Sequence, residues 1–139
     1  RFLVRKSRTV YEVKKVMTDG VFTVGPEATI DEVISLLLDH RVSGLPVVGD
    51  DGQLLGMISE IDIIDLVYNA DIETSVARDY MTQDVRTLEE EALLDDAASI
   101  FCTTSIRRIP VVCDGRLVGI LSRRDLIRFI RDVRRQGAV

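Results

Sequence analysis

The 139-residue sequence contains no tryptophan, one histidine, two cysteines and three prolines, and aromatic residues make up 5% of it. Each scarcity removes a class of function. Few aromatic rings leave little on which unpaired bases could stack, which argues against a single-stranded nucleic-acid platform. His40 has no serine, cysteine or second histidine placed to work with it, so no nucleophile with its base is in view; it reads as a helix-end cap or packing residue. Cys102 and Cys113 form no Cys-x-x-Cys pair and no metal cluster, and they read as small buried apolar residues of a reducing compartment. No apolar run approaches the ~20 residues of a membrane helix, and the N-terminus lacks the apolar core of a signal peptide. The expectation is a soluble, cytoplasmic protein. The chain opens at Arg1, as a piece of a longer protein or a processed product would.

The net charge of −5 disfavours duplex nucleic acid, whose binding is driven by positive charge and counterion release. Arginines nonetheless crowd the last third, from Arg107 to Arg135, and read chiefly as one solvated face of a final helix.

What is present is a repeat. Met17-Thr18, Leu45-Pro46-Val47-Val48, Asp51-Gly52 and Gly56-Met57-Ile58-Ser59 with Asp62 return as Met81-Thr82, Ile109-Pro110-Val111-Val112, Asp114-Gly115 and Gly119-Ile120-Leu121-Ser122 with Asp125. The offset is 81−17 = 64 at the methionines and 125−62 = 63 at the aspartates, so one residue is missing from the second copy, in the Asp-Gly turn. A unit of this length cannot bury its apolar face alone, so two copies pack together. The organisation read from it is a lead-in at 1–12, a first repeat at 13–68, a connector at 69–76, a second repeat at 77–135 and a tail at 136–139.

Within each copy, Ile30, Val33, Ile34, Leu37 and Leu38, and later Leu94, Ala97, Ala98, Phe101 and Cys102, keep the spacing of a helix with one apolar side. Two apolar runs joined by Asp-Gly follow, a strong hairpin signal because glycine accepts positive φ. A second helix starts at Ser59 and at Ser122, with Ile63, Ile64 and Val67, or Leu126, Ile127 and Ile130, as its apolar side. With short strands near 21–24 and 85–87, each copy reads strand, helix, strand, strand, helix, an α/β fold of two repeats related by a pseudo-twofold axis.

The Gly-h-h-Ser-x-x-Asp ending of each copy, where h is apolar, sets a hydroxyl at a strand-to-helix junction and an acid in the first helical turn. A helix N-terminus attracts phosphate, and a carboxylate offers two acceptors for the vicinal hydroxyls of a ribose. The same pattern also fits a capping box, in which serine and acid satisfy their own backbone. Both readings recur in a duplicated fold, so repetition does not choose between them.

These motifs together resemble the paired CBS (cystathionine β-synthase) domain, or Bateman module, over about residues 13 to 130. The resemblance implies two pockets between the repeats for adenosine-containing ligands. One would use Ser122 and Asp125, with Ile120 and Arg124, and Asp19, Val21, Val42 and Ser43 around the adenine. The other would use Ser59, Asp62 and Met57 with Gln83, Val85 and Ile106, and Arg107 and Arg108 would face its phosphates through their forked donors. Arg123 and Arg124 follow Ser122, whereas Glu60 follows Ser59 in the other copy, so unequal sites are expected.

The function expected is a non-catalytic regulatory module that binds AMP, ADP, ATP or an S-adenosylmethionine-type ligand and passes occupancy on as a shape change. No cofactor or metal is required. A homodimer is expected, with the regulated effector on a missing segment or a separate protein. The rival is a ligand-free dimerisation scaffold whose serines and aspartates only cap helices; oligonucleotide binding through the Arg-rich end ranks below both.

Overall fold

The computed structural model describes residues 11–69 and 71–137. Residues 1–10 of the lead-in, Ala70 of the connector, and 138–139 of the tail lie outside the described residues. The chain forms two compact units: Phe22–Val85 with Gly115–Leu117, and residues 11–21, 86–114 and 118–137.

In the Phe22–Val85 unit, helix α1 (Ile30–Asp39) opens with a complete capping box: Thr29 Oγ1 accepts from Glu32 N at 3.1 Å, and Glu32 reaches back to the Thr29 amide. It closes at His40, the expected cap, whose amide donates to the Leu36 and Leu38 carbonyls. Ile30, Val33 and Leu37 face the core, but Leu38 is 70% exposed, so the buried stripe is narrower than the spacing suggests. Strands β1 (Gly44–Val48) and β2 (Leu54–Ser59) form the expected antiparallel hairpin, with Pro46 opposite Met57. The proline costs no ladder bond, because Met57 turns its amide and carbonyl outward to Thr82, at 2.9 and 2.8 Å. Helix α2 (Glu60–Asn69) follows, and the short α3 (Ala77–Tyr80) leads to the Met81-Thr82 segment. The core joins Val24, Ile30, Val33, Leu45, Val47, Ile58, Ile63 and Leu66. The strand expected at 21–24 is reduced to a single parallel bridge, Val24 to Val47.

In the other unit, β3 (Leu88–Glu89), β4 (Arg108–Cys113) and β5 (Arg116–Ser122) lie in that order, with β3 parallel to β4. The strand expected at 85–87 thus begins at Leu88. Helix α4 (Leu94–Thr103) packs through Leu94, Ala97, Ile100 and Phe101, and α5 (Arg123–Arg135) through Leu126, Phe129 and Val133. Cys102, expected inside, is exposed, and Cys113 is half-buried; Leu94, Ala97, Ile100 and Phe101, most of them larger, fill the core side of α4 without it. The two-residue turn Asp114-Gly115 has φ of 52° and 79°, the positive pair that a tight hairpin requires.

Each unit is closed by the opening of the other repeat. Thr18 pairs with Ile120 through two 2.8 Å bonds, as Thr82 pairs with Met57. The approach is close enough to require glycine beside it. A Cβ on Gly119 would stand 2.6 Å from Met17 Sδ and 2.8 Å from the Thr18 carbonyl, and one on Gly56 would stand 2.6 Å from the Thr82 carbonyl. The repeated glycine is thereby explained by packing.

Candidate functional site

Both Ser-x-x-Asp turns sit where a buried strand hands over to a helix. At the first, Asp62 Oδ2 accepts from Ser59 N at 2.8 Å and from Ser59 Oγ at 3.0 Å, while Ser59 Oγ lies 3.3 Å from the Asp62 amide. At the second, Asp125 Oδ2 accepts from Ser122 N at 2.9 Å, and Ser122 Oγ accepts from the Asp125 amide at 3.0 Å. The capping alternative is therefore realised in both copies, each acid satisfying its own serine.

The second oxygen separates the two copies. Asp125 Oδ1 accepts from Thr18 Oγ1 and from Arg128 Nη1, each at 3.2 Å, and Asp125 is the buried charged residue among those described, 7% exposed. Asp62 is half-buried, and its Oδ1 has no donor among the described residues. The repeat equivalent of Arg128 is Asp65, which has no proton to give. One turn thus presents a free acceptor; the other has both oxygens occupied.

The helix starts are also partly satisfied from within. Glu60 N donates to the Ser43 carbonyl at 3.0 Å, and Arg123 N donates to the Arg107 carbonyl at 2.9 Å. With Ser59 N and Asp62 N engaged as well, three amides at the start of α2 are taken, which weakens that terminus as an anion site. Arg123, expected beside phosphate, spends its guanidinium on the carbonyls of Ile106, Phe101 and Thr104 at 2.9, 3.3 and 3.0 Å, closing the C-terminal end of α4. Arg124 remains exposed.

The remaining expected residues fall into the units as follows. Asp19 and Val21 share the unit of Ile120, Ser122 and Asp125, as do Ile106, Arg107 and Arg108; Gln83 and Val85 share the unit of Met57, Ser59 and Asp62, as do Val42 and Ser43. Val21 N donates to the Asp19 carbonyl and Val85 N to the Gln83 carbonyl, both at 2.9 Å, so the same tight turn follows Thr18 and Thr82 at repeat-equivalent positions. Val42 and Ile106 pack on their own cores. Arg107 is exposed and Arg108 half-buried at the start of β4.

Sequence reasoning missed three features. Thr18 was visible as part of the Met-Thr repeat, but its hydroxyl finds Asp125 only through pairing across 107 positions. Arg128 lies three residues after Asp125, a helical neighbour spacing that could have exposed the pair. Phe22 and His40 stack with ring centroids 3.6 Å apart and planes at 14°, a contact with no local signature. Among the described residues no group of three or more His, Cys, Asp or Glu could hold a metal, and no helix is long and apolar enough to cross a membrane.

Comparison with known proteins agrees with this architecture. The family model for the CBS domain matches residues 13–69 and 77–132. An uncharacterised protein of Methanocaldococcus jannaschii is 37% identical over 118 residues, covering 85% of this chain but 42% of its own length. Among solved structures, CBSX2 of Arabidopsis thaliana in complex with AMP superposes with a TM-score of 0.80 at 32% identity, covering 89% of this chain and 98% of that one. The CBS domain pair of protein MJ0100, in complex with 5′-methylthioadenosine and S-adenosyl-L-methionine, gives 0.73 at 28% identity, covering 88% and 97%.

Proposed function

The chain belongs to the CBS-domain family, and from that membership we propose that it is a non-catalytic regulatory module whose ligand is an adenosine-containing molecule, an adenine nucleotide or a compound of the S-adenosylmethionine type. The observation that carries this reading is the open Asp62 Oδ1 beside Ser59, an acceptor held rigidly by its own capping box and aimed at no protein donor among those described. A fixed carboxylate oxygen suits a ribose hydroxyl. Similar proteins, CBSX2 and MJ0100, hold AMP and adenosyl sulfur compounds, which supports the ligand class.

In this reading Ser59 and Asp62 hold the sugar with Met57, Gln83 and Val85 at the base, and Arg107 and Arg108 answer the phosphates. Ser122, Asp125, Ile120, Asp19 and Val21 form the weaker counterpart, because Arg128 and Thr18 must give up Asp125 Oδ1 before a sugar can use it. Val42 and Ser43 line the adenine, and Arg124 replaces Arg123 as the cation of that site. The module works as a homodimer, and its output is a population shift set by the ligand's difference in affinity between two arrangements, delivered to a partner protein or a segment outside this chain.

A second reading, the ligand-free scaffold, is favoured by the closed capping boxes. Thermal denaturation with AMP, ADP, ATP, S-adenosylmethionine and adenosine separates the two. A ligand at a hundred times its dissociation constant stabilises by about 2.7 kcal/mol; no shift with any of the panel leaves the scaffold. By calorimetry Asp62→Ala should weaken binding about tenfold, the loss of about one hydrogen bond to a charged group. Arg107→Ala with Arg108→Ala should weaken phosphorylated ligands more than adenosine, and equal losses would refute the phosphate role.

A further inference from the structure

The two copies end their first helices by different means. In the first, α1 closes on its own backbone: Val42 N donates to the Leu37 carbonyl at 3.1 Å and Arg41 N to the Leu38 carbonyl at 3.4 Å. Arg41 takes the positive φ, 53°, that this ending requires. Its repeat equivalent is Ser105, since 105−41 = 64, and among the described residues other than glycine only Arg41 and Asp114 have positive φ. In the second copy Thr104 is extended instead, with φ of −134° and ψ of 174°, so the chain leaves α4 at once and its carbonyls need a donor from elsewhere.

Arg123 supplies it. Its Nε donates to the Ile106 carbonyl at 2.9 Å, and its Nη2 to those of Thr104 and Phe101 at 3.0 and 3.3 Å. The Arg123 amide donates to the Arg107 carbonyl at 2.9 Å. Ile106 is fixed from both sides, because its amide donates to Thr104 Oγ1 at 3.2 Å. Only a guanidinium offers several N–H donors in a rigid plane, which suits carbonyls spread along a bend. The equivalent residue in the first copy is Glu60, since 123−60 = 63. It keeps the backbone bond, to the Ser43 carbonyl at 3.0 Å, but a carboxylate side chain has no N–H to give. The second copy has therefore moved the closure of its loop from the backbone to one side chain.

That loop leads directly into Arg107 and Arg108. We propose that Arg123 is a positioning residue for phosphate recognition: it fixes the 104–107 backbone from which the Arg107 and Arg108 side chains extend, and so sets how strongly the module prefers a phosphorylated adenosine to adenosine itself. It acts through carbonyls and not on the phosphate. The proposal rests on the ligand reading above and adds the residue that tunes it. Ordering a long side chain on binding costs affinity, and a backbone already held lowers that cost.

Two measurements on the full chain test this. In the free protein, Arg123→Ala should speed amide hydrogen exchange over residues 104–107 about tenfold, as a local hydrogen-bonded closure is lost; unchanged exchange overturns the proposal. By calorimetry with AMP and adenosine, the same variant should lower the preference for AMP about tenfold while adenosine binds as before. Arg123→Lys keeps the cation but not the fork, and it should lose most of the preference as well. A lysine variant with the wild-type preference would mean that charge alone matters, and equal losses for both ligands would mean general damage to the fold; either result overturns the proposal. Faster exchange with an unchanged preference overturns the positioning role and leaves the ligand reading standing. A wild-type chain that binds neither AMP nor adenosine overturns the ligand reading and the proposal with it.

Discussion

The two serine-aspartate turns began as one design and now differ in what surrounds their second carboxylate oxygen. At Asp125 a buried acid is held by Ser122, Thr18 and Arg128; at Asp62 a half-buried acid is held, among the described residues, by Ser59 alone. The copies differ at the residue three places along the helix, Arg128 in one and Asp65 in the other, and Asp125 also takes the Thr18 hydroxyl. The repeated fold therefore keeps its capping chemistry in both halves, while one half retains an acceptor without a donor among the described residues.

The comparison breaks most severely at the glycines. Gly56→Ala forces a methyl to 2.6 Å from a backbone carbonyl, and Gly119→Ala meets Met17 Sδ at the same distance with a carbonyl at 2.8 Å. Both should lower stability in urea by about 3 kcal/mol, the upper part of the overpacking range, with Gly119 somewhat milder because a methionine side chain moves more readily than backbone. Equal stability to wild type would mean that the Met-Thr segments do not close the hairpins.

Next in size are the acids. Asp125→Ala leaves the Ser122 amide and the Thr18 hydroxyl without their acceptor and should cost about 2 to 3 kcal/mol, whereas Asp62→Ala loses one cap at about 1 kcal/mol. Equal costs would erase the asymmetry. Arg128→Ala is gentler still: its side chain is 56% exposed, so less than about 1 kcal/mol of stability is at stake. Yet it frees Asp125 Oδ1, and calorimetry should then find the Ser122 turn a better sugar acceptor than before.

The smallest effect concerns the thiols. Hydrogen bonding to Glu90, then burial and neighbouring acids, push the Cys113 thiol up to about 11. Its thiolate, the reactive form, is therefore scarce until pH approaches that value. Exposed Cys102 should be alkylated first at pH 8, and mass spectrometry after brief treatment with iodoacetamide should locate the label there. Simultaneous labelling would contradict the influence of Glu90.

Much of this was legible in the sequence because it depends on neighbours a few residues apart. The Asp-Gly hairpins, the Ser59 and Ser122 caps and the order of the main elements all follow from local geometry. Periodicity gave the apolar positions of α2 and α5 but not their direction, since a stripe facing the core and one facing outward have the same spacing; hence Ile64, Val67, Ile127 and Ile130 were expected inside and are exposed. Cys102 failed for a related reason, its helix having enough larger apolar residues to fill the core without it. The Thr18 bond to Asp125 and the diversion of Arg123 to the end of α4 arise only once distant segments meet. For the same reason the spacing of serine and acid could not decide between a cap and a sugar site; the cap forms in both copies, and only Asp62 keeps an oxygen without a donor among the described residues.

The crossing of the Met-Thr segments has a consequence for synthesis. The unit built on Phe22–Val85 is almost contiguous and can assemble soon after its last residues leave the ribosome, lacking only a three-residue tip. The other must keep residues 11–21 waiting until Ile120 arrives a hundred residues later, so vectorial translation should produce one half early and strand the N-terminal arm unpaired in the interval.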